Sequence, residues 1–297
     1  MIPRGTIIAA LLVVELAISG EAVVALHGGQ SAPSSAQRAD GGASGLRLAE
    51  GGPHQIFDAG AHPVLTVDIG NADLTILASK VSQMDVSVSA STAYGILRAT
   101  APITARKDGE TIRIATTRDR WSMGDDRMVT VLVPPETQVT VVNAGDIKAN
   151  GLRADGSFNS IGNGSVTVGD YDAPALHVAA SNGHIFLHQI VASSLDATSS
   201  NGRVEGTGLQ VRDGSVEGDG RVTLGFAAGT DTLVTARTSN GRISVSGFSA
   251  AASFTTRPKS SDDDDDDSPS QTVRVGAGNG HFDVHSSDGN VILSQEG

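Results

Sequence analysis

Ala-Thr-Ser-Ser-Asn-Gly-Arg-Val-Glu-Gly, residues 197–206, is echoed by Arg-Thr-Ser-Asn-Gly-Arg-Ile-Ser-Val at 237–245 and by Ala-Ser-Asn-Gly-His-Ile at 180–185. The glycines at such turns are Gly145, Gly164, Gly183, Gly202, Gly220 and Gly241, then Gly280 after an insertion; the first five steps are 19, 19, 19, 18 and 21 residues. A period of this length marks a repeat architecture in which each unit buries its apolar face only against its neighbours. Two residues beyond each glycine stand Ile147, Val166, Ile185, Val204, Val222, Ile243 and Phe282, all apolar. The positions on either side are mainly polar, as in Lys148, Thr167, Glu205 and Thr223, and this two-residue alternation reads as a strand.

A second strand precedes the turn in several units. Leu176, Leu195, Val234 and Val273 lie seven residues before the glycine, with Val178, Ala197, Ala236 and Val275 five before it. His177, Asp196, Thr235 and Arg274 lie between them and face outward by alternation. Each unit is thus two short strands, a corner specified as Asn-Gly or Asp-Gly, and a second connection that varies. Asn and Gly are expected at the corner because they tolerate positive φ at low steric cost.

Two architectures fit this unit. In a parallel β-solenoid, equivalent residues stack about 4.8 Å apart on neighbouring coils; in an antiparallel meander, Asn-Gly closes hairpins and equivalents sit two strands apart. Near-constant spacing favours the solenoid. Arg203, Arg221 and Arg242 in adjacent rows count against it, although water screens their repulsion. The fold expected is all-β: a parallel, β-helix-like solenoid with repeats of about 19 residues, capped by an N-terminal antiparallel strand region. Residues 53–142 form that cap and 143–297 the repeats, with an acidic insertion at 257–270.

Aromatic residues are only 3% of the 297 and glycines number 36, so the core must be Val, Ile, Leu and Ala on closely spaced backbone. The net charge is −12, and Asp262 to Asp267 supply six of those negatives, leaving −6 elsewhere. An acidic chain lacks the Lys and Arg footprint that neutralises phosphates, so nucleic acid is excluded as a partner. The absence of cysteine removes disulfides, thiolate metal sites and a lipoprotein attachment point.

Residues 1–26 place Arg4 before the apolar run Ile7 to Val14, interrupted later by Glu15 and Glu21. This pattern is either a secretory signal peptide or an uncleaved membrane anchor. In both cases the bulk of the chain lies outside the cytoplasm. Residues 27–52, poor in large apolar side chains, read as a flexible linker.

Gly-Asn-Ala-Asp-Leu-Thr-Ile at 70–76, Val-Thr-Val-Leu-Val-Pro-Pro at 129–135, Asn-Ala-Gly-Asp-Ile at 143–147 and the repeated Ser-Asn-Gly units together resemble the bacterial putative-adhesin domain family of unknown function. The resemblance spans about residues 56 to 295. It implies a β-helical, extracytoplasmic, non-enzymatic domain, often found behind an N-terminal membrane segment, and defines no functional residues to transfer.

The position just after the corner glycine is the one free to carry function. His184, Arg203, Arg221, Arg242 and His281 occupy it and form a candidate ligand-facing stripe, suited to an anionic glycan or polymer; the plain alternative is an exposed strand position. His184 with His188, and His281 with His285, repeat a four-residue spacing. On a strand that separation is about 13 Å, too far for either pair to chelate one ion. Six consecutive aspartates without glycine read as a solvated loop rather than a calcium site. No Gly-x-Ser-x-Gly, phosphate loop or His-Glu-x-x-His occurs. No cofactor or metal is expected. The function expected is a non-enzymatic adhesin or cell-envelope scaffold that binds an envelope polysaccharide or protein. The alternatives are a membrane-anchored envelope sensor and a β-helical polysaccharide-acting enzyme; the latter needs paired carboxylates, and the outward Glu205, Glu217 and Asp283 have no defined separation in the sequence.

Overall fold

Ile147, Val166, Ile185, Val204 and Val222 pair with one another in register on successive parallel strands, which decides for the solenoid. The computed structural model describes residues 46–47, 55–90, 103–116, 127–248, 254–257 and 270–296. The N-terminal segment 1–26, nearly all of the 27–52 linker, Trp121 and Asp262 to Asp267 lie outside the described residues.

One 19-residue step is one coil with two walls. The first wall follows the glycine corner and carries Val166, Ile185 and Val204 inward; the second carries Leu176 and Leu195. All five are fully buried. Burying such a side chain contributes about 1.5–3 kcal/mol, and each inward residue also packs on the coils above and below. In the strands Val166–Ala180, Ile185–Ser199 and Val204–Gly218 the two walls run on as one 15-residue strand. The bend between them is made by a positive φ six residues beyond the corner glycine, at Gly151, Asp170, Gln189 and Gly208. The second connection therefore does not vary in the middle coils: it is a fixed left-handed bend, hidden from the sequence because two of its four residues are not glycine.

The corner glycines have a different reason from the one the sequence suggests. Gly164, Gly183 and Gly202 do not have positive φ. Instead, a Cβ on any of them would overlap the carbonyl oxygen of the corner glycine one coil below, Gly145, Gly164 and Gly183 respectively. The corner requires glycine because successive backbones touch there.

Coil order departs from chain order at both ends. Along the first wall the pairing runs Val129, Leu74, Ile147, Val166, Ile185, Val204, Val222, Val291, Ile243. Along the second it runs Ile112, Leu65, Val139, Gly156, Leu176, Leu195, Gly214, Phe282, Val234. The first coil, Val64–Asp68 and Ala72–Ala78, thus lies inside the second, and the last, Gly280–Ser286 and Val291–Gln295, lies inside the one before it. The region before residue 143 is accordingly more than an antiparallel cap, since it contributes two coils. Antiparallel strands do cover the outermost coils: Gln83–Ala90 on Arg127–Val133, Ile103–Asp108 on Thr111–Thr116, and Ser270–Val275 on Thr232–Thr238.

Interleaving also corrects one repeat assignment. Asn279-Gly280-His281-Phe282 imitates the corner motif, yet Phe282 sits in the second-wall column between Gly214 and Val234. The true corner glycine of that coil is Gly289, between Gly220 and Gly241, followed by Asn290 and Val291.

Candidate functional site

The Asn of Ser-Asn-Gly and the hydroxyl residue just before the triplet are consumed in holding coils together. The Ser199 hydroxyl, buried, donates to the Gly183 carbonyl at 3.0 Å; Ser286 does the same to Gly220 at 2.9 Å and Thr238 to Gly289 at 2.8 Å. The asparagines form an outer ladder. Asn182 Nδ2 donates to Asn163 Oδ1 at 3.2 Å, Asn201 Nδ2 to Asn182 Oδ1 at 2.8 Å, and Asn240 Nδ2 to Asp288 Oδ1 at 2.7 Å.

The next position forms a second row. The backbone N–H of Asp146 donates to Asp73 Oδ1, Ser165 N–H to Asp146 Oδ1, His184 N–H to Ser165 Oγ, and Arg203 N–H to His184 Nδ1, at 3.3, 2.8, 3.2 and 3.2 Å. In the N-terminal half of the row each side chain therefore accepts a bond from the next coil. Nδ1 of His184 is an acceptor here, so the neutral ring carries its proton on Nε2. An arginine has no acceptor and cannot serve this purpose. From Arg203 onward the row reads Arg203, Arg221, Asn290, Arg242, and only Asn290 resumes the acceptor role, taking Arg242 N–H at 2.9 Å.

Four of the five stripe residues are thus brought into one row, with Asn290 between Arg221 and Arg242. His281 is not among them: it lies on the second wall opposite Leu233, its N–H donates to Asp213 Oδ1 at 3.0 Å, and its ring meets Asp283 at 3.1 Å. The interposed Asn290 relieves the repulsion that three stacked arginines would create.

Charge along the row is balanced. Arg203 Nε meets Glu205 Oε1 at 2.7 Å, and its guanidinium lies 5.5 Å from the Phe186 ring centroid. Arg221 and Arg242 are exposed, and among the described residues neither side chain has a partner. Asp219 and Asp288 occupy the adjoining ladder row. The sequence reading missed the contribution of Asn163, Asn182, Asn201 and Phe186, although the 19-residue spacing of the asparagines was visible.

The opposite corner carries an open groove of about 480 Å³ across successive coils, with Ala173, Ala192 and Val211 on its floor and Pro174, Val191 and Arg212 on its rim. Beside it Tyr171 is buried, its hydroxyl reaching the carbonyls of Ala154, at 3.0 Å, and Ala175. Burial pushes that hydroxyl far above the usual tyrosine range, so it is a neutral structural donor.

Among the described residues, histidines meet carboxylates only in exposed pairs, His281 with Asp283 and His177 with Asp196 at 3.3 Å. His188 Nδ1 bonds Thr207 Oγ1 at 2.9 Å, and among the described residues no group of three or more His, Cys, Asp or Glu could hold a metal ion. Glu205 lies on the first wall, whereas Glu217 and Asp283 lie on the second. No helix among the described residues is long and apolar enough to cross a membrane.

These features define a β-solenoid repeat domain whose outward rows are set by inter-coil bonding. The chain belongs to the Toastrack DUF4097 family, whose sequence pattern matches residues 63–294. Among solved structures it is similar to a putative adhesin from Bacteroides fragilis, with 11% identity, a TM-score of 0.47, and coverage of 82% of this chain and 96% of that one. It is also similar to a putative cell adhesion protein from Clostridium sporogenes, with 12% identity, a TM-score of 0.35, and coverage of 82% and 99%. No curated protein matches the chain.

Proposed function

We propose that this domain is a non-enzymatic, extracytoplasmic scaffold for adhesion or envelope interaction, and that its polar corner is the surface that meets an extended polysaccharide. The observation that carries the reading is the change along the second row. Where Asp146, Ser165 and His184 serve the backbone, Arg221 and Arg242 serve nothing within the described fold and stand exposed beside Asn201, Asn290 and Asn240. Rows of planar donors and acceptors about 4.8 Å apart suit a polymer of repeating hydroxylated units. Glu205, Asp219 and Asp288 beside the arginines favour a hydroxyl-rich ligand over a densely anionic one. The basic start and apolar run of residues 1–26 support the location.

A glycan array probed with the full chain tests the reading. Binding to an envelope-type polysaccharide should weaken at least tenfold in the double variant Arg221→Ser and Arg242→Ser, and change little between low and moderate salt. Equal binding by that variant sinks the corner as the site, and cleavage of a bound polysaccharide by the purified protein sinks the non-enzymatic reading. Protease digestion of intact cells checks the location, since a cytoplasmic domain would survive it.

A further inference from the structure

The interleaved C-terminal coil fills a wedge, not a parallel-sided gap. At the groove corner the chain on either side of it is in direct contact: Ala227 N–H donates to the Leu209 carbonyl at 2.8 Å, Thr230 Oγ1 to the same carbonyl at 2.8 Å, and Thr232 Oγ1 to that of Arg212 at 2.6 Å. Beyond that contact the coil of Thr232–Thr238 and Ile243–Ser246 diverges, and Gly280–Ser286 and Val291–Gln295 enter between it and the coil below. The entering chain is clasped at the mouth of the wedge by Asp231, which accepts from Gly278 N–H at 2.6 Å and Asn279 Nδ2 at 2.6 Å, and by Asp213, which accepts from His281 N–H.

The two walls of the wedge also match each other. Val222 and Ile243 both pair with Val291, and Leu224 and Val245 both pair with Leu293. On the second wall Val216 and Ala236 both pair with Val284, and Glu217 and Arg237 both pair with His285. Closing the wedge would set apolar on apolar in the core and Glu217 beside Arg237 outside. The polar corner matches as well. Thr238 Oγ1 now bonds the Gly289 carbonyl and Asn240 Nδ2 bonds Asp288; Gly220 and Asp219 hold the equivalent places one coil below. One bond has no replacement, because Arg221 cannot accept the Arg242 N–H that Asn290 now takes.

We propose that residues 280–295 are a removable insert, and that the coil of Thr232–Thr238 and Ile243–Ser246 has two docking positions. In one it rests on the insert, as seen here; in the other it swings about residues 227–232 and closes directly on Gly214–Phe226. The closed arrangement is the sequential solenoid that the 19-residue repeat describes, and it is the one available while a nascent chain has emerged only to residue 246. The insert then opens the wedge, and its release returns the domain to a complete sequential stack with a free C-terminal segment. This inference is independent of the polysaccharide reading.

The chain contains no cysteine, so cysteine pairs report the two positions cleanly. Thr223 pairs with Ile292, and Ser244 lies one strand further out. Neighbouring strands fall within disulfide reach, whereas strands two rows apart, about 9.6 Å, do not. With the insert in place, Thr223→Cys with Ile292→Cys should cross-link within the monomer under mild oxidation, and Thr223→Cys with Ser244→Cys at least tenfold more slowly. When Phe282→Asp and Leu293→Asp expel the insert, the second pair should cross-link fast and the first not at all, with the β-sheet circular dichroism retained. Failure of the Thr223–Ser244 pair to cross-link in both backgrounds overturns the proposal. So does loss of the sheet signal on expulsion.

Discussion

The middle coils and the end coils are built from the same repeat but joined differently. Between Gly156 and Gly218 the strands pair with one another at steps of about 19 residues in continuous register, and the bend between walls is a fixed left-handed residue. At either end a coil is tucked one place inward and strands turn antiparallel, and one corner step is looser: a Cβ on Gly220 would approach the Gly202 oxygen to 3.0 Å, whereas one on Gly241 would overlap the Gly289 oxygen as in the middle coils. The difference teaches that local repetition specifies the column a residue joins but not which coil it joins. Two segments with apolar residues in the right alternation, 64–78 and 280–295, enter rows out of chain order.

Breaking the middle should be most damaging. Ile185→Asp buries an unpaired carboxylate among coils on both sides, and Gly183→Ala drives a methyl into the Gly164 carbonyl. Each should cost on the order of 4 kcal/mol or more, enough to unfold most of a marginally stable domain, as urea titration followed by circular dichroism would show. Gly220→Ala tests the one looser step of the same ladder and should cost only about 1–2 kcal/mol in that titration, with loss of amide protection confined to residues 214–246 and 280–295.

Acid should separate the two regions without mutation. Hydrogen bonds from Asn279, and from Arg212 and the His281 backbone, hold the Asp231 and Asp213 carboxyls below the usual aspartate range. Carboxylates with depressed folded values stabilise the fold above their unfolded pKa of about 3.9 and lose that contribution as pH falls through the folded value. Hydrogen exchange at falling pH should therefore open residues 278–286 before residues 166–199. Simultaneous opening would mean the clasp adds nothing. The smallest effect belongs to Arg203→Ser: its ion pair with Glu205 is exposed, and stability should stay within about 0.5 kcal/mol.

Much of the middle was legible because its signals are local. Val166, Ile185 and Val204 announced a core column, and their spacing announced the coil. The reason for the corner glycines was not legible, since a backbone-to-backbone approach between coils leaves the same residue choice as a positive φ. Asp170 and Gln189 hid the second bend by adopting positive φ without being glycine. Interleaving left no signal at all beyond the 39 residues between Gly241 and Gly280, and so Asn279-Gly280-His281 was read as a corner and His281 as part of the stripe. Of the candidate surface, the four residues His184, Arg203, Arg221 and Arg242 were found from spacing; Asn290 between the last two required the three-dimensional order.

The tucked C-terminal coil bears on how the domain meets tension and digestion. A coil at the open end of a stack can be peeled away one bond at a time, like the loose turn of a wound cord. Val291–Gln295 is instead bonded along both edges, to Val222–Phe226 and to Ile243–Ser246. A pull from that side, or an exopeptidase working inward, meets a turn trapped beneath another turn, and the two ladders must yield together before the winding can start to come undone.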